Sequence, residues 1–188
     1  KILFVILGHN KNEKMNTFSI AIHGGAGTLI KGMMTAELEA KYKAALKSAL
    51  DAGYSVLQED GTAIEAVEKA VIILEDSPLF NAGKGSVFTA DETHEMDASI
   101  MDGKTLNAGA VSLITGIKNP ISLSRDVMEK SEHVFLAGEG ALTFAQLNGH
   151  KIEEDAYFYD EFRHNQWLEI KDTDSFQLDH AKKKDSKF

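Results

Sequence analysis

The sequence predicts a protein of mixed α and β structure whose helices and strands pack in layers. Two long segments, 35–57 and 62–74, repeat apolar residues at helical spacing. Shorter apolar or alternating segments of strand type lie before and after them. Hydrophobic residues make up 43% and charged residues 26% of the 188 residues, a balance typical of a packed globular protein.

The first predicted strand, residues 18–22, ends in a glycine-rich loop, HGGAG at 23–27. Three glycines permit positive φ angles and let backbone N–H groups point at a ligand. A plain tight turn between core elements explains the same residues, and both interpretations stay open here. A dinucleotide-binding loop is excluded, because its GxGxxG motif would lead straight into a helix and residues 28–34 intervene.

The two long helices carry their own start and stop signals. Thr35 is the predicted N-cap of the first, with Glu37 at its positive end. Asp60-Gly61 ends this helix, and Thr62 with Glu65 forms the capping box of the next. So short a connection predicts that the helices pack antiparallel as one layer.

Strands and shorter helices alternate after residue 78. Strands are predicted at 86–89, 96–101, 108–114 and 134–137, with the turn Asp102-Gly103 joining the second to the third. Their many small residues suit the close approach of a second layer. Helices are predicted from Asn119-Pro120 to about residue 130, over 139–147 and over 157–167.

The two ends of the chain are predicted to lie outside the packed domain, which spans 15–170. Residues 1–14 have a short apolar core and precede Met15, so we interpret them as a leader or upstream extension. Residues 171–188 are polar and lysine-rich and are predicted to be disordered.

Composition and spacing exclude several function classes. Twenty basic and 29 acidic residues give a net charge of -9, which disfavours broad attraction to nucleic acid. Zero cysteines exclude a disulfide framework and a thiolate zinc site, and no stretch has the length of a membrane helix. The histidines lack metal-ligand spacing, and the carboxylates of 91–102 lack EF-hand spacing. Spacing alone therefore yields no complete catalytic set.

Several motifs, in order, resemble one known family. They are IHGGAG, SPLFNAGKGSVF, ETHEMDASIMDG, NAGAVS and, at 138–141, GEGA. Together they resemble the isoaspartyl peptidase/plant-type L-asparaginase family of N-terminal nucleophile hydrolases, and the resemblance runs from about residue 18 to residue 149. The resemblance implies an αββα four-layer sandwich, with two facing sheets between helix layers, completed by a separate β subunit.

The same resemblance implies that the chain is an α subunit. Family members cut themselves at a Gly-Thr bond, and the exposed threonine becomes the nucleophile with its own α-amino group as base. Gly61-Thr62 starts a helix and does not suit this role, so we expect the cut beyond Phe188, with 171–188 as the linker to it. The catalytic nucleophile is then expected on the β subunit and not in this chain, and the αβ pairs are expected to dimerise.

Supporting site residues follow from the matched motifs. Asn81 matches the family asparagine beside the nucleophile, and Gly24 and Gly25 match the glycine loop near it. A structural sodium ion is implied, whereas no organic cofactor is. Its ligands would be the main-chain oxygens of Leu74, Glu75, Ser77, Phe80, Ala82 and Lys84, hard donors that suit such an ion.

The implied reaction is hydrolysis of the L-asparagine side-chain amide and of β-aspartyl dipeptides. Its substrates are small molecules, and neither nucleic acid nor membrane is an expected partner. The implied location is the cytoplasm, or the periplasm if residues 1–14 belong to a signal peptide. Two alternatives stay open: a glycosylasparaginase of the same superfamily, and a non-catalytic protein that binds anions in its glycine loops.

Overall fold

A computed structural model describes residues 3–7, 18–25 and 35–171, which form a mixed α and β structure, as predicted. The strands are β1 (Leu3–Leu7), β2 (Ser19–His23), β3 (Met96–Met101), β4 (Ala108–Ile114) and β5 (Phe135–Ala137). The helices are α1 (Ala36–Gln58), α2 (Ala63–Glu75), α3 (Pro120–Lys130), α4 (Gly138–Leu147), α5 (Asp155–Phe158) and α6 (Glu161–Ile170), with a 3₁₀ turn at Gly83–Gly85. None of the helices in these ranges is long and apolar enough to span a bilayer.

Strand β1 comes from the segment predicted as a leader. It pairs antiparallel with β2, with Leu3 opposite His23 and Leu7 opposite Ser19. The domain limits of 15–170, with 1–14 as a leader or upstream extension, stay a prediction, because a short apolar run has the length of a strand as well as that of a signal core. Whether 1–14 is removed stays a prediction, and the predicted tail beyond Lys171 lies outside the described residues.

Helices α1 and α2 pack against each other and against β2. Thr35 Oγ1 accepts the Leu38 N–H at 3.1 Å, and the capping box of Thr62 and Glu65 is formed, as predicted. Gly53 lets the helices approach, because a Cβ there would lie 2.8 Å from the Ala66 carbonyl oxygen. The buried core of this layer consists of Ile20, Ile22, Tyr42, Leu46, Ala49, Leu50, Ala66, Ala70 and Phe80.

The second sheet has the order β3-β4-β5. The predicted hairpin of β3 and β4 is antiparallel, and β5 runs parallel to β4. Helix α3 packs closely on one face: a Cβ at Gly109 would lie 2.1 Å from the Ser124 carbonyl oxygen. The core beneath the sheet contains Met96, Val111, Ile114, Ile117, Leu123, Val127, Ala141, Ala145 and Phe158.

Two predicted elements differ in the structure. Residues 86–89 form no strand, because their backbone groups bond locally: Ser86 N–H donates to Gly83 at 3.1 Å, and Thr89 N–H to Thr93 at 2.8 Å. The predicted helix 157–167 is two helices, α5 and α6. Asp160 lies between them and caps α6, because its side chain accepts the Arg163 N–H at 3.0 Å.

Candidate active site

The loop between α2 and Val87, residues 76–86, holds its shape by its own backbone bonds. The Ala82 N–H donates to the Phe80 carbonyl oxygen at 2.9 Å, which closes a three-residue γ-turn with Asn81 at its corner. The 3₁₀ turn Gly83–Gly85 follows directly. The backbone therefore turns tightly at Asn81 and directly after it. We refer to residues 76–86 as the Asn81 loop.

Helix α1 anchors this loop in the core. The Tyr42 hydroxyl donates to the Leu79 carbonyl oxygen at 2.9 Å. Phe80 is buried, with its ring edge-on to Tyr42 at 5.7 Å between centroids. Tyr42 is only 3% exposed, so its ring is part of the packed core. Asn81 thus lies on the surface directly beside a fixed core residue.

The two ends of the Asn81 amide have different surroundings. Its Oδ1 accepts the Val87 N–H at 3.0 Å, which fixes the direction of the side chain. Its Nδ2 has no hydrogen-bond partner among the described residues, and the residue is exposed. An amide held at its oxygen in this way presents a two-hydrogen donor to whatever lies outside the loop.

The glycine loop reaches the same place from β2. A Cβ at Gly24 would meet Leu46 Cδ2 at 2.9 Å and Phe80 Cε1 at 3.3 Å, so glycine allows the backbone to lie on these side chains. Gly25 has a φ of +106°, and its N–H donates to His23 Nδ1 at 3.1 Å. The structure therefore brings Gly24 against Phe80, the neighbour of Asn81, while the roles assigned to these residues stay predictions.

The carbonyl oxygens predicted to hold sodium lie on the Asn81 loop and the end of α2. Glu75 O would be 2.4 Å from a Cβ at Gly83, and Phe80 O 2.2 Å from one at Gly85. Glycine is needed at both positions, because the loop folds back onto these oxygens. Elsewhere in the described ranges, no group of three acidic or histidine side chains lies together as a metal site. Neutral carbonyl oxygens are hard donors, so the donor set fits an alkali-metal ion.

The side chain of Glu75 is buried at the junction of α2 and α3. Its Oε1 accepts the Ile121 N–H at 3.0 Å, whereas its Oε2 is buried without a partner in the described part of the chain. Burial raises the pKa of Glu75 to about 8, because water no longer solvates the charged form. The neutral acid is therefore favoured below that pH.

Asp76 gathers three donors beside this junction. Its Oδ1 accepts from Asn119 Nδ2 at 3.1 Å and from the Tyr157 hydroxyl at 3.4 Å, and Lys118 Nζ lies 3.3 Å away. Burial, together with the nearby Asp76 charge, raises the pKa of Tyr157 to about 12. Tyr157 therefore stays protonated and serves as a donor, which ties α5 to the start of the Asn81 loop.

Comparison with known proteins identifies the family. A family profile described as asparaginase matches residues 16–187. The chain belongs to this asparaginase family. It is 43% identical over 162 residues to the isoaspartyl peptidase of Escherichia coli, covering 86% of this chain and 50% of that protein. It is 49% identical over 154 residues to the plant-type L-asparaginase of Pyrococcus abyssi, covering 82% and 48%.

A vertebrate relative of the asparaginase family extends the comparison. The isoaspartyl peptidase/L-asparaginase of Xenopus laevis is 52% identical over 130 residues, covering 69% of this chain and 40% of that protein. The predicted family resemblance is confirmed. The chain spans about half the length of the curated relatives it matches.

Two further polar residues of this asparaginase-family chain shape the region around the site. Asp97 Oδ1 accepts from the Ser112 hydroxyl at 2.5 Å and from the Leu113 N–H at 3.0 Å. This pair of bonds holds Leu113 at a φ of 54°, rare for a side-chain-bearing residue, where β3 and β4 are out of register. Asp97, in the strand predicted at 96–101, is thus a structural hydrogen-bond acceptor.

His94 is the second of these residues. Its ring is buried, its Nδ1 lies 3.1 Å from the Ser86 hydroxyl, and its Nε2 has no partner in the ranges described. Burial lowers the pKa of His94 below the ordinary 6.5, because the charged imidazolium is poorly solvated there. His94 is therefore a neutral structural histidine that joins residue 86 to the hairpin.

The His94 environment predicts a pH dependence of stability. Because the folded pKa is lowered, the contribution of His94 to stability is fully present above about pH 6.5 and is lost as the pH falls towards the folded value. We expect the Tm of the full-length protein to fall from about pH 7 to about pH 5 more steeply than that of His94→Asn. His133→Asn, which removes an exposed histidine, is the matched control. Equal slopes for wild type and His94→Asn would contradict this prediction.

The side chain of Glu75 has a role beside the site that the sequence motifs do not predict. The family motifs give Glu75 a role only through its carbonyl oxygen, as a sodium ligand, and predict no contact for its carboxyl group. A signal was nevertheless present: Glu75 and Asp76 place two acids at the negative end of α2, where acidic side chains are unfavourable. An acidic side chain there needs a hydrogen-bond donor from another element, and the Ile121 N–H is that donor.

Proposed function

We propose that this chain is the α subunit of an autoprocessed threonine hydrolase that cleaves β-aspartyl dipeptides and the side-chain amide of L-asparagine. The names of its relatives, isoaspartyl peptidase and plant-type L-asparaginase, support the reaction class. The observation that carries the proposal is the Asn81 amide, fixed at Oδ1 and presenting Nδ2 outwards. This is the geometry needed by a group that orients a nucleophile supplied from outside the chain.

In the proposed reaction, the hydroxyl oxygen of the β-subunit threonine attacks the side-chain carbonyl carbon of the substrate. The hydroxyl proton passes to the threonine α-amino group and then to the leaving nitrogen, which departs as ammonia or as the amino group of an amino acid. Water then attacks the β-aspartyl ester and releases aspartate. Asn81 would hold the nucleophile, and Gly24 would leave room beside it.

The open face of the second sheet supports a β-subunit partner. The face opposite α3 carries small residues, the Asp97 carboxylate that binds Ser112, and the apolar side chains of Met101 and Phe135, each 55% exposed. Its small residues are Ser99, Ala108, Ala110, Ser112 and Ala137. A surface of this kind suits a second sheet packed face to face at about 10 Å. We propose that the β subunit supplies that sheet, giving an αββα sandwich, and that the αβ pairs dimerise.

A structural sodium ion is part of the proposal. The carbonyl oxygens of Leu74, Glu75, Ser77, Phe80, Ala82 and Lys84 would hold it. When bound, such an ion would attract the partial negative charge of these carbonyl oxygens and hold the loop in place, with no part in bond breaking. The chain contributes the loop shape, which its own backbone bonds and the Tyr42 anchor already fix.

Steady-state hydrolysis by the purified full-length protein tests the proposed function. We expect release of free amino acid from a β-aspartyl dipeptide and of ammonia from L-asparagine, with no cleavage of the matching α-aspartyl dipeptide. A preference for glycosylated asparagine would instead identify a glycosylasparaginase. Absence of hydrolysis of all these amides by correctly folded protein would favour a non-catalytic binding protein and contradict the proposal.

A further inference from the structure

Glu75 provides the N-terminal cap of a helix other than its own. Helix α3 begins at Pro120, and its N-cap residue Asn119 makes no side-chain capping bond. The Ile121 N–H, one of the donors that a helix start leaves unsatisfied, donates instead to Glu75 Oε1 at 3.0 Å. The Glu75 side chain therefore fastens the end of α2 to the beginning of α3.

The main chain of the same residue contacts the Asn81 loop. The Glu75 carbonyl oxygen lies so close to Gly83 that a Cβ there would be only 2.4 Å away. Gly83 has a φ of +51° and lies two residues after Asn81, at the start of the 3₁₀ turn of the Asn81 loop. Glu75 thus touches α3 through its side chain and the Asn81 loop through its backbone.

The contribution of Glu75 to stability does not by itself explain why a carboxylic acid occupies this buried position. The residue is only 3% exposed, and Oε2 accepts no hydrogen bond among residues 35–171 or the other described segments, since the nearby Asn119 amide donates to Asp76 at 3.1 Å. Burying a polar oxygen without a partner destabilises a protein, and an apolar residue of similar size would avoid that cost. The carboxyl group is therefore better explained by its hydrogen bond to α3, which holds the end of α2 in position.

We propose that Glu75 is a positioning residue: its carboxyl group fixes the end of α2 on α3, and its backbone thereby fixes the loop that directs Asn81. The consequence for hydrolysis rests on the proposed function, whereas the consequence for loop geometry does not. Ile121 contacts the Glu75 side chain, the Glu75 backbone contacts Gly83, and Gly83 lies in the same loop as Asn81.

The test compares Glu75→Leu with Glu68→Leu in the full-length protein. Glu68 joins the same two helices, since it accepts from Arg125 at 2.7 Å and from Ser122 at 2.6 Å, but it lies two turns from the loop. We expect Glu75→Leu to lower kcat by about 10²-fold with little change in KM, because a displacement of about 1 Å misorients the reacting groups. Glu68→Leu should reduce stability and leave kcat near the wild-type value.

Hydrogen exchange of the Val87 amide gives a readout that needs no activity. This N–H is bound by Asn81 Oδ1, so its exchange reports the position of the loop. We expect faster exchange in Glu75→Leu and wild-type exchange in Glu68→Leu. If the wild-type protein hydrolyses no amide, the proposed function fails while this measurement still decides whether Glu75 positions the loop.

Conservative variants keep the inference testable if Glu75→Leu does not fold. Glu75→Gln keeps an oxygen within reach of the Ile121 N–H and is expected to retain Val87 protection and most of kcat. Glu75→Asp is one methylene shorter, loses that bond and is expected to behave like the leucine variant. Equal behaviour of Gln and Asp, or equal losses in Glu75→Leu and Glu68→Leu, would overturn the inference.

Discussion

Replacement of Asn81 by alanine is expected to lower the hydrolysis of β-aspartyl dipeptides by about 10²-fold or more, because the nucleophile loses its orienting donor. The same change removes the acceptor for the Val87 N–H, so the segment after the 3₁₀ turn also loses its attachment. The measurement is kcat and KM of the purified full-length variant, with Val87 amide exchange measured in parallel.

Asn81→Asp separates the two functions of this side chain. A carboxylate oxygen still accepts the Val87 N–H, but the outward-facing Nδ2 donor is gone. We therefore expect Asn81→Asp to protect the Val87 amide and still to lose hydrolysis. Wild-type kcat in either variant would show that the Asn81 amide does not orient the nucleophile.

Replacement of Gly83 by alanine is the second change with a large expected effect. A Cβ there would lie 2.4 Å from the Glu75 carbonyl oxygen, at a φ of +51° that side-chain-bearing residues rarely adopt. Backbone strain and overpacking together predict a loss of about 3 kcal/mol in the free energy of unfolding. Any relief of the clash moves the Asn81 loop, so hydrolysis should be lost as well. Denaturant unfolding and steady-state kinetics measure the two effects.

Gly140→Ala is the matched control for this prediction. Gly140 lies within α4, and a Cβ there would meet nothing within 4 Å. Alanine in a helix interior is favoured over glycine, so this variant should gain about 0.5–1 kcal/mol and keep wild-type hydrolysis. A Gly83→Ala variant as stable and active as Gly140→Ala would contradict the close contact between Gly83 and Glu75.

Helix boundaries were predictable where the signals are local. Thr35, and Thr62 with Glu65, use side chains within four residues to cap their helices, so the pattern and the structure agree. Residues 86–89 show the limit of such reasoning. Their composition suits a strand, but the Asn81 side chain takes the Val87 N–H that a neighbouring strand would need. Sequence spacing does not reveal a competing acceptor from a loop.

The family motifs assign roles in the candidate site to Asn81 and Gly24, and these roles stay predictions. The structure shows Gly24 against Phe80, the neighbour of Asn81. That proximity depends on the packing of β2 and the Asn81 loop on α1, which is a long-range property. The capping of α3 by Glu75 joins residues 46 apart in sequence and has no local pattern beyond the unfavourable acid at the end of α2.

Intact mass and N-terminal sequencing of the purified full-length protein test the central claim most directly. We predict two polypeptides, the second beginning with a threonine preceded by glycine in the encoded sequence and lying beyond Phe188. A single uncut polypeptide that nevertheless hydrolyses β-aspartyl dipeptides would contradict the claim that this chain frames a threonine released by self-cleavage.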